Sequence, residues 1–188
     1  MSAVRIPLFA RDGAIRAYAV IDAADADWVN QWSWRLTNKG YAARSVRIEG
    51  RPGSVRLHRA LLGLTRGDGM EGDHINRDRL DNRRSNLRAL PKGLNAQNTG
   101  GWRHSSSQYR GVSWNKKDGK WTAQIRVGTR ADSRLMNLGR FHSEIEAAEC
   151  AQAARLRLMP YAVEPSTPLP VPETTPTLRN SARTKKLA

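Results

Sequence analysis

The chain has 188 residues, room for one or two small domains with modest cores. Its 32 Lys and Arg against 17 Asp and Glu give a net charge of +15, an excess that points to a polyanionic partner, with nucleic acid ahead of an anionic membrane surface. No apolar run approaches the roughly 20 residues that span a bilayer, the opening MSAVRIPLFARDG is too broken by Arg11 and Asp12 for a signal peptide, and Cys150 is alone, which excludes an internal disulfide and a thiolate zinc finger.

Residues 1–55 read as a small α+β unit. AIRAYAVID (14–22) predicts a strand. DAADADWVNQW (22–32) follows as a helix, with Asp22 as N-cap and Asp25 in its first turn. WSWR and GYAARSVR flank LTNKG as a hairpin. Trp28, Trp32 and Trp34 lie close together, and they suit a small core or, alternatively, base stacking. RLHRALLGL (56–64) predicts a short helix with Leu57, Leu61 and Leu62 on one face, ended by the glycines of TRGDG.

The stretch from Asp73 to Asn95 is rich in asparagine, a poor residue for helix interiors and strands. MEGDHI predicts a strand that delivers Asp73 and His74 at its end; NRDRLDNRRSN should loop, LRAL (87–90) return as a strand, and PKGLNAQN form a short helix with Pro91 in its first turn. Asn95 and Asn98 then share a face. A hard divalent cation wants oxygen ligands, few of them carboxylates; Asp73 and the amide of Asn95 offer such a pair. His74 beside them suits a general base, and Asn86 could orient its ring. Against this stands the ordinary use of Asn and Asp in turns.

Asp73-His74, Leu80-Asp81-Asn82-Arg83, Asn86-Leu87-Arg88, Asn95 and Asn98 resemble, over about residues 56–100, the His-Asn-His (HNH) endonucleases of phages and mobile introns, in the subgroup whose last His is Asn. The resemblance implies a ββα-metal core, His74 as general base, Asp73 and Asn95 as ligands of Mg²⁺ or Mn²⁺, and Asn86 as the residue that orients His74. Asp81 and Asn82 would brace the loop. His58 also matches a family position and is expected to make a structural hydrogen bond. Gly72 departs from the pattern, standing where a β-branched residue is usual.

Residues 107–142 predict three short strands: SQYRGVSW, KWTAQIRV and LMNLGRF, joined by NKKDGK and GTRADSR. SEIEAAECAQAARLRLM follows as a helix with Ser143 and Glu146 as a capping box. From 104 to 142 there are eight Lys and Arg and only two acids, so the sheet face with Arg110, Lys116, Lys117, Lys120, Arg126 and Arg134 is the expected nucleic-acid surface. Tyr109-Arg110-Gly111-Val112, Gly119-Lys120-Trp121, Ala123-Gln124-Ile125-Arg126, Leu138-Gly139-Arg140-Phe141 and the Ala-rich helix resemble the plant APETALA / ethylene-response-factor DNA-binding domain. That resemblance implies a sheet laid in the major groove, with Arg110, Lys120 and Arg126 at contacting positions. Trp114 is an additional expected contact and Trp121 an expected core residue. Residues 164–188, with five prolines between 165 and 176 and then RNSARTKKLA, predict a disordered arm.

The expected fold class is α+β: an N-terminal α+β segment (1–55), a ββα-metal nuclease unit (56–103), a three-stranded antiparallel sheet on one helix (104–163), and the tail. The expected function is metal-dependent hydrolysis of double-stranded DNA by a homing-type enzyme, phage- or prophage-encoded and cytoplasmic in a bacterial host. Nothing in the sequence requires more than a monomer. The rival is a non-catalytic DNA-binding regulator on a nuclease scaffold. An RNA-binding protein would be expected to expose paired aromatics.

Overall fold

The computed structural model describes residues 2–99, 105–129 and 132–164. The predicted disordered arm lies outside these residues apart from Glu164, as do residues 130–131 of the turn GTRADSR. The described chain is mixed α and β, with three sheets and few helices. Among the described residues, no helix is long and apolar enough to cross a membrane.

The first sheet runs in the order β2-β1-β3-β4-β5, from β1 (Ala3–Phe9), β2 (Ile15–Asp22), β3 (Trp34–Leu36), β4 (Ala42–Ile48) and β5 (Arg51–Arg56). Strand β2 and the β3–β4 hairpin match the sequence reading; β1 and β5 were not foreseen. Proline masks both. Pro7 lies inside β1, but β3 pairs with β1 only at Leu8 and Phe9, so the donor that Pro7 lacks is not asked for on that side. Pro52 lies in β5, the edge strand, where a missing N–H is tolerated. The stretch 22–32 forms a 3₁₀ turn (Ala23–Asp25) leading into the single-turn α1 (Ala26–Val29). Asp22 does not cap it; its Oδ2 accepts the backbone N–H of Arg84 at 2.8 Å. Trp34 is buried and donates from Nε1 to the Val29 carbonyl at 2.9 Å, while Trp32 packs on the same cluster under the Arg44 guanidinium, 4.2 Å from its ring.

α2 (Leu57–Leu61) is shorter than 56–64, and Gly63 turns the chain with φ 67°. It places Leu57 and Leu61 in one apolar cluster with Ile6, Leu8, Ile21, Val29, Trp34 and Leu87. The next hairpin, β6 (Met70–His74) against β7 (Leu87–Pro91), is antiparallel. Its long loop is tied to β2, because Val20 donates to the Leu80 carbonyl and accepts from the Asn82 N–H, both at 2.7 Å. Pro91 ends β7 rather than opening a helix. Gly93 then turns with φ 92°, and the predicted helix is a five-residue 3₁₀ turn, Leu94–Asn98.

The last sheet, in the order β10-β9-β8, comprises β8 (Val112–Asn115), β9 (Lys120–Val127) and β10 (Arg134–Phe141). α3 (Glu144–Leu158) lies on it through Ala147, Ala148 and Ala151, which pack on Val112 and Ala123. Small side chains allow this close approach. Ser143 caps the helix, its Oγ accepting the N–H groups of Ile145 and Glu146 at 3.2 and 3.4 Å.

Candidate active site

The β6–β7 hairpin carries Asp73 and His74 at the end of β6, and both are buried. A buried carboxylate must be paired or hydrogen-bonded. Asp73 meets this through Arg88, one residue into β7 and directly opposite in register; Nε and Nη2 reach Asp73 Oδ2 at 2.9 and 2.7 Å. Asn98 also donates from Nδ2 to Oδ2 at 3.0 Å and, at 3.3 Å, to Oδ1. The same amide lies 3.0 and 3.2 Å from the carbonyls of His74 and Ile75. Its orientation is fixed from behind, since Arg77 Nε donates to Asn98 Oδ1 at 3.0 Å. Arg77 itself holds a positive φ of 66°, an uncommon state for a residue with a side chain.

His74 Nε2 lies 3.2 Å from Asn82 Oδ1. Asn82 is fully buried, and its Nδ2 donates to the Leu80 carbonyl at 3.1 Å, which turns the amide oxygen toward the ring. An acceptor facing Nε2 keeps the proton there and leaves Nδ1 as the basic nitrogen. Burial lowers the His74 pKa, opposed by the Asn82 hydrogen bond and by the charge of Asp73.

The sequence assigned the orienting role to Asn86, and the geometry differs. Asn86 Oδ1 accepts from the Asn76 N–H at 2.9 Å, and its Nδ2 donates to the Asn76 side chain and to the Asp81 carbonyl, at 2.9 and 2.7 Å. Both ends of its amide go into closing the loop, where Asp81 also holds Arg83 in a two-point ion pair. Asn82, predicted to brace that loop, is the amide at His74. Asn95 is half-buried and makes no side-chain hydrogen bond among the described residues. Asn98, three residues on and on the same side of the 3₁₀ turn, is the amide that meets Asp73.

His58, also buried, packs edge-on to His74 with ring centroids 4.8 Å apart. It makes no side-chain hydrogen bond among the described residues, in contrast to the structural one expected of it. Burial first, then the neighbouring charges of His74, Arg56 and Arg59, lower its pKa to about 3. The Gly72 departure has a steric reason: a Cβ there would lie 2.6 Å from His58 Cδ2 and 3.3 Å from Leu62 Cδ1. Tyr41, which the sequence did not single out, completes the ring cluster at 5.2 Å from His58 and 6.0 Å from His74. The guanidiniums of Arg56 and Arg79 cover its faces at 4.7 and 4.9 Å. No local pattern marks Tyr41, because the β3–β4 turn, which it closes just before β4, brings it to the site from far away in sequence.

The donor set bears on a metal. No group of three or more His, Cys, Asp or Glu clusters among the described residues. Asp73 Oδ2 is engaged by Arg88, while Oδ1 has a single long contact. Asn98 turns its Nδ2, not its oxygen, to the carboxylate, so Asp73 Oδ1, with the amide of Asn95, unengaged among the described residues, in the following 3₁₀ turn, suits a hard divalent cation that takes its remaining ligands from water and phosphate.

In the last sheet, register separates the predicted DNA contacts. Trp121, Ala123 and Ile125 face α3, so Lys120, Thr122, Gln124 and Arg126 face away. Arg140, paired with Thr122, joins that open face. Trp114 pairs with Trp121 and packs on it at 5.0 Å, and Arg134 pairs with Val127; both belong to the helix side, although each is exposed at its margin. Arg110 is half-buried and donates to the Gln97 carbonyl at 2.8 Å. Desolvation lowers its pKa. Its guanidinium joins the two units rather than the open face.

No curated protein and no solved structure matches the chain. The model of a family described as HNH endonuclease matches residues 55–97, which run from the end of β5 through α2, the β6–β7 hairpin and most of the 3₁₀ turn, and this supports a nuclease acting on DNA.

Proposed function

We propose that the chain is a metal-dependent DNA endonuclease of the HNH homing type, phage- or prophage-encoded, with its C-terminal sheet as the DNA-positioning module. The observation that carries this reading is the coincidence of the family match with the buried Asp73–His74 unit. His74 Nδ1 takes the proton of the attacking water, while Asn82 holds the ring and its tautomer through Nε2. Burial favours the neutral, basic form of His74. Asp73 Oδ1 and the amide oxygen of Asn95 would hold a divalent ion, Mg²⁺ or Mn²⁺. When bound, such an ion stabilises the negative charge on the phosphate and the leaving oxygen. Arg88 fixes Asp73 so that a single oxygen is offered. The products would be a 5′-phosphate and a 3′-hydroxyl. Lys120, Arg126 and Arg140 on the open sheet face suit phosphate and base-edge contacts in a major groove, as in an APETALA-like domain.

Supercoiled plasmid with Mg²⁺ or Mn²⁺, beside EDTA and beside His74→Ala, tests the reading. Metal-dependent nicking or linearisation that His74→Ala abolishes is the expected result; an intact plasmid at salt where the protein still binds would overturn it. One observation favours a non-catalytic DNA-binding regulator instead: Arg88 already neutralises Asp73, as an inactive scaffold would allow. The same plasmid decides between them.

A further inference from the structure

The turn of the β3–β4 hairpin and the end of β5 enclose an open groove of about 420 Å³, lined by Arg35, Thr37, Asn38, Lys39, Ser54 and Arg56. The lining holds three cations, hydroxyl and amide donors, and no acid. None of the three cations forms an ion pair among the described residues, although seven such pairs occur elsewhere in them. Uncompensated like charges around one concavity repel each other, which a polyanion would relieve. The groove is also joined to the candidate active site. Arg56, in its wall, lies over one face of Tyr41, and the Tyr41 ring touches the His58 and His74 rings. On the same tyrosine sits Arg79, from the loop after His74, whose Nη1 donates to the Lys39 carbonyl at 2.6 Å. The groove and the base therefore share one wall.

We propose that this groove is a phosphate-binding subsite that seats the DNA backbone beside the cleaved bond, with Arg35 and Lys39 as its phosphate contacts. The N-terminal sheet is then a second DNA surface, adjacent to His74, and separate from the open face of the C-terminal sheet. The inference rests on the nuclease reading for the identity of its polyanion, and it is tested by binding alone.

The full chain is titrated in EDTA against a fluorescent 30-base-pair duplex over a range of salt, so that no cutting occurs. Arg35→Ala/Lys39→Ala should reduce the log–log salt slope by about two units, since each lost phosphate contact removes about 0.9. Arg35→Lys/Lys39→Arg should keep it. The control Arg11→Ala/Arg16→Ala removes the same formal charge from the exposed β1–β2 turn and the start of β2, outside the groove. An unchanged slope in the groove variant, or an equal drop in the control, overturns the subsite. So would inorganic phosphate that binds wild type but not the groove variant while duplex affinity is unaltered, because the groove would then hold a free anion. A protein that binds DNA through the groove but never cuts plasmid would overturn the nuclease reading and leave the subsite standing.

Discussion

A methyl group at Gly72 would press on the His58 ring at a distance no Cβ tolerates. Gly72→Ala should therefore destabilise the fold by about 1–3 kcal/mol through overpacking. The effect should shrink in a His58→Ala background, and urea midpoints of the four proteins measure that coupling. His58 also gives stability a pH dependence. Its folded pKa of about 3 lies below the ordinary 6.5, so between these values the unfolded chain binds a proton that the folded chain refuses. Stability is complete above pH 6.5 and falls toward pH 3, by up to about 1.4 kcal/mol per pH unit. Denaturation at pH 7 and pH 5 checks the sign, and His58→Gln should reduce the difference. Among the amides, Asn82→Ala should lower kcat of plasmid cleavage with little change in KM, because it frees the His74 ring. Asn86→Ala should instead cost about 1–3 kcal/mol of stability, the penalty for leaving the carbonyl of buried Asp81 unpaired and the loop around Asn76 open. Equal kcat losses at equal stability would contradict that division. Sequence spacing drew attention to the amides that gather around Asp73 and His74. It could not say which amide reaches which partner, because Asn82 and Asn86 differ only in how the loop folds over β2.

At the scale of elements, the cleanly alternating β9 was legible, and the two strands with proline in their interior were not. β9 shows Trp121, Ala123 and Ile125 on one face in sequence as in space, whereas β1 and β5 hide behind Pro7 and Pro52. The short helix after β7 was misread because Pro91 suits a first helical turn equally well, and the left-handed Gly93 decides otherwise. Register also sorts the basic residues of the last sheet. Arg126→Ala should reduce the salt slope of DNA binding by about one unit. Arg110→Ala should leave the slope almost unchanged and instead weaken the contact with Gln97, which hydrogen exchange at residues 94–98 would register. An Arg110 slope change as large as that of Arg126 would place both on the DNA face.

Across the whole molecule, the units are joined by polar contacts that converge on the candidate site. Arg88 donates to Asp73 and also, from Nη2, to the Tyr161 carbonyl at 2.6 Å; Tyr161 donates its N–H to Gln97 Oε1 at 3.2 Å, and Arg77 reaches the Val163 carbonyl. The chain that leaves α3 thus returns to the residues that hold Asp73 and Asn98. None of this was legible beforehand, since residues 160–164 carry no motif and the partners lie far upstream. The shared apolar cluster has a practical consequence. Residues 55–97 are a unit of family likeness, yet Leu57, Leu61 and Leu87 find their cover on Ile6, Leu8 and Ile21. The stretch is therefore not a portable cassette. Excised as 55–99 it should give the circular dichroism of an unfolded peptide, whereas 2–99 should melt cooperatively, and any transplant of this stretch into another protein would have to carry the five-stranded sheet with it.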